Sequence, residues 1–131
     1  MQKFVDVTVK PVLIIGGALT ATAGLNAFVP RFAVEQVLKL EFVSSYTILV
    51  QHWGMMVCLL GVLMVVAAFK ESWRVPVLLY AMLEKAFFVG LYVTHRGESC
   101  ASGFTAPMVM DAIIAAWIAV YLTSLRSRKS A

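Results

Sequence analysis

Four long apolar segments alternate with short polar segments along the chain. They cover approximately residues 9–29, 46–69, 75–95 and 104–124. Each reaches the roughly 20 residues that a helix needs to cross the hydrocarbon of a bilayer at about 1.5 Å per residue. Three of them carry a proline near the start, where a missing N–H costs a helix least: Pro11, Pro76 and Pro107. The pattern predicts an all-α integral membrane protein, a four-helix transmembrane bundle that forms a single domain over residues 1–131.

The polar segment 30–45, between the first and second spans, has a helical periodicity of its own. Three charged residues recur every four positions, and the apolar residues fall on another face: Arg31, Glu35 and Lys39 against Val34, Val37, Leu38 and Phe42. This spacing predicts a short amphipathic helix with i,i+4 ion pairs, lying at the outer membrane interface. Such a helix either forms a lid over the bundle or only covers the apolar ends of the spans.

Small residues recur at intervals of four in the first and fourth segments. They are Gly16, Thr20 and Gly24, Gly17 and Ala21, Ala112 and Ala116, and Ala115 and Ala119. Because small side chains let helices approach closely in lipid, we expect these positions to mediate helix packing and to carry no chemistry.

The composition strengthens the membrane interpretation. Hydrophobic residues make up 61% of the 131 residues and charged residues 14%, and the mean hydropathy is +0.87. Soluble domains are about 45–50% apolar and about 25% charged. The net charge of +4 comes from scattered residues without a basic stripe, which argues against a nucleic-acid partner. We expect a multi-pass protein of the cell membrane, in contact with membrane lipid.

The distribution of Lys and Arg predicts the orientation. Seven lie in the termini and in the loop after the second segment, and three lie in the other loops. The first group is Lys3, Lys10, Lys70, Arg74, Arg126, Arg128 and Lys129, and the second is Arg31, Lys39 and Arg96. The positive-inside rule then places both termini in the cytoplasm. The chain start MQKFVDVTVK, followed by an apolar run and then Ala21-Thr22-Ala23, also resembles a cleavable signal peptide, but we expect a retained helix.

The stretch YAMLEKAFF, residues 80–88, places an acid and a base in the middle of the third segment. Glu84 or Lys85 at a helix centre costs about 2.5–3.5 kcal/mol on insertion, so at least one should face the bundle interior. Asp111, roughly 5 Å outward from the middle of the fourth segment, is a candidate partner for Lys85. Two interpretations follow. The polar residues either form internal pairs that fix helix register, or they surround an outward-opening pocket within the bundle.

A convergence of these side chains would suit a lipophilic small molecule, such as an isoprenoid, a quinone or a sterol-like molecule. An acid and a base in different environments suit proton transfer, as in a double-bond isomerisation, an epoxide opening or a cyclisation. The candidate catalytic residues are Glu84, Asp111 and His52, and the candidate ligand-binding residues are Lys85, Tyr80, Gln51, Tyr92, Trp53 and Asn26.

Other functions stay open at this point. A non-catalytic accessory or assembly subunit of a larger membrane complex, or a homo-oligomer, would use the polar residues as internal pairs. A proton-coupled carrier ranks last because the cytoplasmic half of each segment is almost purely apolar. The sequence contains no nucleotide-binding loop and no Cys/His metal pattern, so we expect no metal and no cofactor.

Three features together resemble a known family. HWG at 52–54, EK at 84–85 and the segment around Asp111, with the chain length and the glycine-rich helices, resemble small bacterial four-helix membrane proteins of the DoxX-like kind. The resemblance implies a four-helix membrane bundle and, for some such proteins, quinone-linked redox partners. The set of Glu, Asp and His is also similar to that of membrane sterol isomerase-like folds. Both resemblances imply a lipophilic ligand.

Overall fold

The computed structural model describes residues 2–129 and, within them, the side chains of residues 5–125. This part of the chain is 89% helical and contains no strand, which confirms the all-α prediction. The α-helices are α1 (Gln2–Ala21), α2 (Gly24–Phe28), α3 (Pro30–Phe32), α4 (Thr47–Phe69), α5 (Glu71–His95) and α6 (Thr105–Lys129). A π-helical turn covers Ala33–Val37, and short 3-10 helices cover Ser44–Tyr46 and Ser99–Phe104.

Four stretches are long and apolar enough to cross a membrane, as the sequence predicts. They are Val5–Phe28, Ser44–Phe69, Glu71–His95 and Ser99–Leu125. The first is interrupted by the turn at residues 22–23, which separates α1 from α2. Lys3, Arg126, Arg128 and Lys129 enter the orientation prediction, but their side chains lie outside the described ones.

The four long helices run up and down. We call the end that carries residues 2 and 129 the terminal end, and the end that carries segments 29–46 and 96–104 the loop end. α1 packs most extensively on α4, and α5 packs on both α4 and α6, whereas the seam between α1 and α6 is more sparsely packed. Apolar side chains from all four helices fill the terminal half: Val5, Val9, Leu13, Leu60, Met64, Ala67, Ala68, Val77, Leu78, Ala81, Ile114, Ile118 and Tyr121. Apart from Arg74 and Ser124, the buried polar and charged side chains of the described residues lie in the loop half.

Glycines bring α1 and α4 into backbone contact. A Cβ added at Gly17 would lie 2.7 Å from the carbonyl oxygen of Gly61, and one at Gly61 would collide with the backbone of Gly17 and Ala21. The predicted small-residue packing is therefore present on α1. The prediction was wrong for α6, where Ala116 and Ala119 are exposed. This helix instead buries Ile114, Ile118 and Tyr121, which pack in the apolar core.

The segment between α3 and α4 differs from the predicted helix. The ion pair between Arg31 and Glu35 is present, with Nε 3.0 Å from Oε1. The helix ends at Val37, and Lys39 has a left-handed φ of 56°, so the chain turns before Lys39 can lie beside Glu35. Leu38 is buried as the predicted apolar face requires, but Val37 is 57% exposed. The segment is a short helical turn followed by an irregular stretch over residues 38–43, which we call the strap.

Arg74 closes the turn between α4 and α5, which are separated by Lys70 alone. Its Nε donates to the carbonyl oxygen of Ala67 (3.1 Å), and its Nη2 donates to that of Ala68 (3.2 Å). Its Nη1 lies 2.9 Å from Oε1 of Glu71. The last carbonyls of a helix have no intrahelical donors, so this side chain caps the C-terminus of α4.

We expect Arg74→Met to destabilise the protein by about 1–3 kcal/mol, because the buried carbonyls of α4 lose their donors while the apolar stem is kept. The measurement is unfolding in mild detergent, followed by circular dichroism. Arg31→Met is the matched control, since its side chain is 78% exposed and an exposed ion pair contributes about 1 kcal/mol at most. Equal stability of the two variants would contradict the capping role.

Candidate functional site

A buried ion pair joins α5 to α6 in the loop half of the bundle. The Nζ of Lys85 lies 2.6 Å from Oδ1 of Asp111, and the two residues are 1% and 6% exposed. Lys85 faces inward because it follows Ala81 by one turn and Leu78 by two, on the buried face of α5. The partnership that the sequence suggests is therefore present, and it holds the ammonium of Lys85 in a charge-assisted hydrogen bond.

Glu84 has a looser arrangement. Its Oε2 lies 3.7 Å from Nζ of Lys85, beyond hydrogen-bond range, and no hydrogen-bond partner in the described structure reaches this buried oxygen. The side chain as a whole is 25% exposed. With Lys85 and Asp111 it forms a cluster of one cation and two acids. Asp111 is hydrogen-bonded to Lys85, whereas Oε2 of Glu84 is within ion-pair distance of the same ammonium and lacks a hydrogen bond.

A partly open cavity of about 380 Å³ lies beside this cluster, and we call it the polar cavity. It is lined by Leu19, Thr20, Thr22, Ala23, Leu25, Asn26, Ala33, Val37, Leu38, Trp53, Val57, Glu84, Lys85, Phe88, Phe104, Pro107, Met110 and Asp111. The lining comes from all four long helices and from the strap that precedes α4. Its volume falls at the low end of the range of about 300–1,000 Å³ typical of small-molecule sites.

Three buried polar atoms without a hydrogen-bond partner belong to residues that line the polar cavity. They are Oγ1 of Thr20, Oδ1 of Asn26 and Oε2 of Glu84. Nδ2 of Asn26 donates to the carbonyl oxygen of Ala23 at 3.3 Å. This hydrogen bond orients the amide group and leaves Oδ1 without a donor. A buried polar group left without a partner costs about 1–3 kcal/mol. The three residues that carry these atoms all line one cavity, which sets this space apart from the rest of the described interior.

An apolar groove of about 1200 Å³ runs between α1 and α6 and adjoins the polar cavity. Four residues line both spaces: Leu19, Val37, Leu38 and Met110. The rest of this α1–α6 groove is lined mainly by apolar side chains, including Ile15, Val109 and Ile113. The groove occupies the sparsely packed seam between α1 and α6. It therefore connects the polar cavity to the lateral surface of the bundle through an apolar lining.

The two loop segments meet over the loop end of the polar cavity. A Cβ added at Gly103 would collide with the carbonyl oxygen of Leu38 and lie 2.9 Å from Leu40, so the strap and the 3-10 helix Ser99–Phe104 are in close contact. Beneath them, the ring of Phe104 packs edge-on against Trp53 at 6.4 Å and Phe88 at 6.0 Å, measured between ring centroids. These rings form an aromatic wall at this end.

The structure brings together five of the nine candidate site residues. Glu84, Lys85, Asp111, Asn26 and Trp53 all line the polar cavity. The sequence reasoning did not assign Phe88 and Phe104 to the site. Phe88 lies one turn after Glu84 and could have been found from helical spacing, whereas Phe104 lies in the loop region and gave no such signal.

The other four candidates lie elsewhere. His52 is exposed on α4 and is not part of the polar cavity. Gln51 donates through Nε2 to the carbonyl oxygen of Ala27 at 3.0 Å, which ties α4 to α2. The hydroxyl of Tyr92 lies 2.8 Å from Oγ1 of Thr105 and joins α5 to α6. Tyr80 is 52% exposed and shares with Glu84 a separate cleft between α4 and α5.

Among the described residues, no group of three or more His, Cys, Asp or Glu side chains is arranged to hold a metal ion. No protein-family model, curated protein or solved structure matches this chain. The site is therefore interpreted from its own geometry.

Proposed function

We propose that this is an integral membrane protein that binds a lipophilic small molecule, with the polar end of the ligand in the polar cavity and its apolar part in the α1–α6 groove. The observation that carries the proposal is that three buried side-chain atoms without a hydrogen-bond partner all belong to residues lining one cavity, at the inner side of an apolar groove. Ligand sites in proteins combine a mainly apolar lining with a few converging polar groups in the same way.

Insertion into the bilayer is supported by the outer surface of the bundle. Large apolar side chains point away from the core along the long helices, including Ile48 at 84%, Leu83 at 67% and Phe87 at 69% exposure. Such a surface is stable in hydrocarbon and would aggregate in water. With the termini in the cytoplasm, as the positive-inside rule indicates, the loop end and the polar cavity belong to the outer half of the membrane.

The size and lining of the two spaces suit an isoprenoid, a quinone or a sterol-like molecule. Its apolar part would lie among Ile15, Val109 and Ile113 and exchange with lipid tails. Its polar end would reach Glu84 and the aromatic wall. A ligand entering from the side keeps its apolar part out of water throughout.

Proton transfer, if it occurs, would depend on Glu84. Asp111 is engaged by Lys85, and His52 lies outside the polar cavity. The three candidate catalytic residues therefore do not provide an acid and a base on opposite sides of a ligand. A double-bond isomerisation, in which one carboxyl group can take up and return a proton, fits this arrangement better than an epoxide opening or a cyclisation.

We expect Glu84→Gln to lower ligand occupancy about tenfold while leaving the fold intact, since hydrogen bonds to charged groups contribute about 1.5–3 kcal/mol and neutral ones less. The measurement is mass spectrometry of small molecules that co-purify in mild detergent. Glu98→Gln is the matched control, because Glu98 is exposed in the loop region. A wild-type protein without any bound small molecule would contradict the proposal.

A second candidate is a non-catalytic accessory subunit of a larger membrane complex, in which the polar residues are internal pairs. The observation in its favour is the close Lys85–Asp111 pair, which is an internal pairing of the kind that a structural role requires. Co-purification separates the two candidates. An accessory subunit retains protein partners in mild detergent and carries no small molecule that depends on Glu84.

The two cysteines provide a test of orientation. Cys100 is exposed at the loop end, and Cys58 is half-buried within α4. We expect a membrane-impermeant maleimide added to intact cells to label the wild-type protein at Cys100 and to leave Cys100→Ser unlabelled. Labelling of Cys100 only after the cells are permeabilised would reverse the proposed topology.

A further inference from the structure

We propose that the polar cavity selects ligands whose polar end donates hydrogen bonds, namely hydroxyl or amine groups, over ligands that only accept them. This inference rests on the proposed function and names the chemistry of the ligand. The inference follows from which buried atoms of the lining residues lack a hydrogen-bond partner.

Two of the three atoms without a hydrogen-bond partner are acceptors: an amide oxygen accepts hydrogen bonds only, and so does a carboxylate oxygen when Glu84 is ionised. They are Oδ1 of Asn26 and Oε2 of Glu84. The third, Oγ1 of Thr20, can both accept and donate. Thr20 and Asn26 are 3% and 7% exposed, so almost none of either side chain faces the solvent around the protein.

The strongest donor near the cavity is already used. Nζ of Lys85 is 2.6 Å from Asp111 and 3.7 Å from Glu84. A ligand that brings only acceptors, such as an ether, a ketone or a quinone, would compete with these carboxylates for Lys85. Among the ligand types of the proposed function, the inference therefore disfavours the quinone and favours an isoprenoid or sterol-like alcohol. A ligand that brings a donor would complete Asn26 or Glu84 without disturbing the ion pair.

The charge of the cluster points in the same direction. One lysine and two acids leave a formal charge of −1 beside the cavity when all are ionised. An anionic end group such as a phosphate or a carboxylate would be repelled in this weakly screened environment. A neutral hydroxyl is accommodated, and an ammonium is attracted.

Two threonines provide a matched pair of variants. Thr20 and Thr22 both line the polar cavity. The hydroxyl of Thr22 already lies 2.6 Å from the carbonyl oxygen of Leu19, whereas the hydroxyl of Thr20 has no partner. Thr20→Val and Thr22→Val therefore make the same change in the same cavity, and only the first removes an unpartnered hydroxyl.

The test is a titration of the full-length protein in mild detergent, monitored by native mass spectrometry. The probes share one chain and differ in the end group: hexadecan-1-ol, its methyl ether, hexadecylamine and hexadecyl phosphate. We expect wild type to bind the alcohol or the amine roughly tenfold more tightly than the ether, and the phosphate least. Thr20→Val should lower the alcohol-to-ether ratio, and Thr22→Val should leave it unchanged.

The outcomes separate the two proposals. Equal binding of alcohol and ether, both weakened by Glu84→Gln, would overturn the donor selectivity, as when water completes the polar atoms, and would keep the proposed function. Tightest binding of the phosphate would also overturn it. Binding of no probe in a manner that depends on Glu84 would contradict the proposed function itself. A preference for the amine over the alcohol identifies a cationic donor and supports the inference.

Discussion

Asp111→Ala should destabilise the protein by about 3 kcal/mol or more, the largest effect that we expect from a single polar side chain. The change leaves the ammonium of Lys85 buried, with its hydrogen-bonded carboxylate gone and Glu84 remaining 3.7 Å away. Removing one partner of a buried ion pair typically costs about 3–5 kcal/mol, because the other charge stays in a low-dielectric environment. The measurement is unfolding by a denaturing detergent, followed by circular dichroism.

The matched control removes both charges. Lys85→Met together with Asp111→Leu keeps the volume and eliminates the unpaired ion, and such replacements are often neutral or stabilising. We expect the double variant to lie within about 1 kcal/mol of wild type. If the double variant is as unstable as Asp111→Ala, or if the single variant matches wild type, the ion pair does not hold α5 to α6 as described.

Gly61→Leu should prevent α1 from packing against α4 and abolish the folded bundle. The new side chain would enter the space occupied by the backbone of Gly17 and Ala21, and backbone cannot move aside as a flexible side chain can. Overpacking destabilises a protein by about 1–3 kcal/mol when side chains can adjust. We expect a collision with backbone to destabilise it by at least the upper value of this range. Loss of the monodisperse species in size-exclusion chromatography, with loss of protease resistance, is the measurement.

The glycine on α5 supplies the control for this prediction. A Cβ added at Gly90 has no atom within 4 Å, so Gly90→Leu meets open space on the outer face of the helix. Leucine also favours a helix by roughly 1 kcal/mol over glycine. We expect Gly90→Leu to retain wild-type stability or to gain slightly. A Gly61→Leu protein as stable as Gly90→Leu would contradict the close approach of α1 and α4.

Depth along a helix could be predicted from the sequence, and this is why the Lys85–Asp111 pair was found. Each residue adds about 1.5 Å along the axis, so residues at similar depths on different spans can be matched without knowing the fold. Rotation about the axis was harder to assign. On α4 the buried positions Gly54, Gly61 and Ala68 recur every seven residues. His52 precedes Gly54 by two residues, or about 200°, and therefore lies on the opposite face.

The conformation of the strap could not be read from the sequence. Residues 30–42 have a helical pattern, but the helix ends at Val37 and the chain turns at Lys39. Lysine gives no sequence signal for a left-handed conformation. In the structure, the residues on either side of this turn, Leu38 and Leu40, lie against Gly103. The loop-end wall of the polar cavity includes this long-range contact, so the sequence did not assign Phe104 to the site and left open whether segment 30–45 forms a lid.

The most direct test of the proposed site is to find where a bound lipophilic molecule lies. Hexadecan-1-ol with a photoreactive diazirine next to the hydroxyl carbon is added to membranes that contain the wild-type protein, and the adducts are mapped by peptide mass spectrometry. We expect adducts at lining residues such as Leu19, Phe88 and Met110, and their loss when unlabelled alcohol is added in excess. Adducts spread over the outward-facing Ile48, Leu83 and Val93, and unchanged by the competitor, would show that the molecule only dissolves in the surrounding lipid.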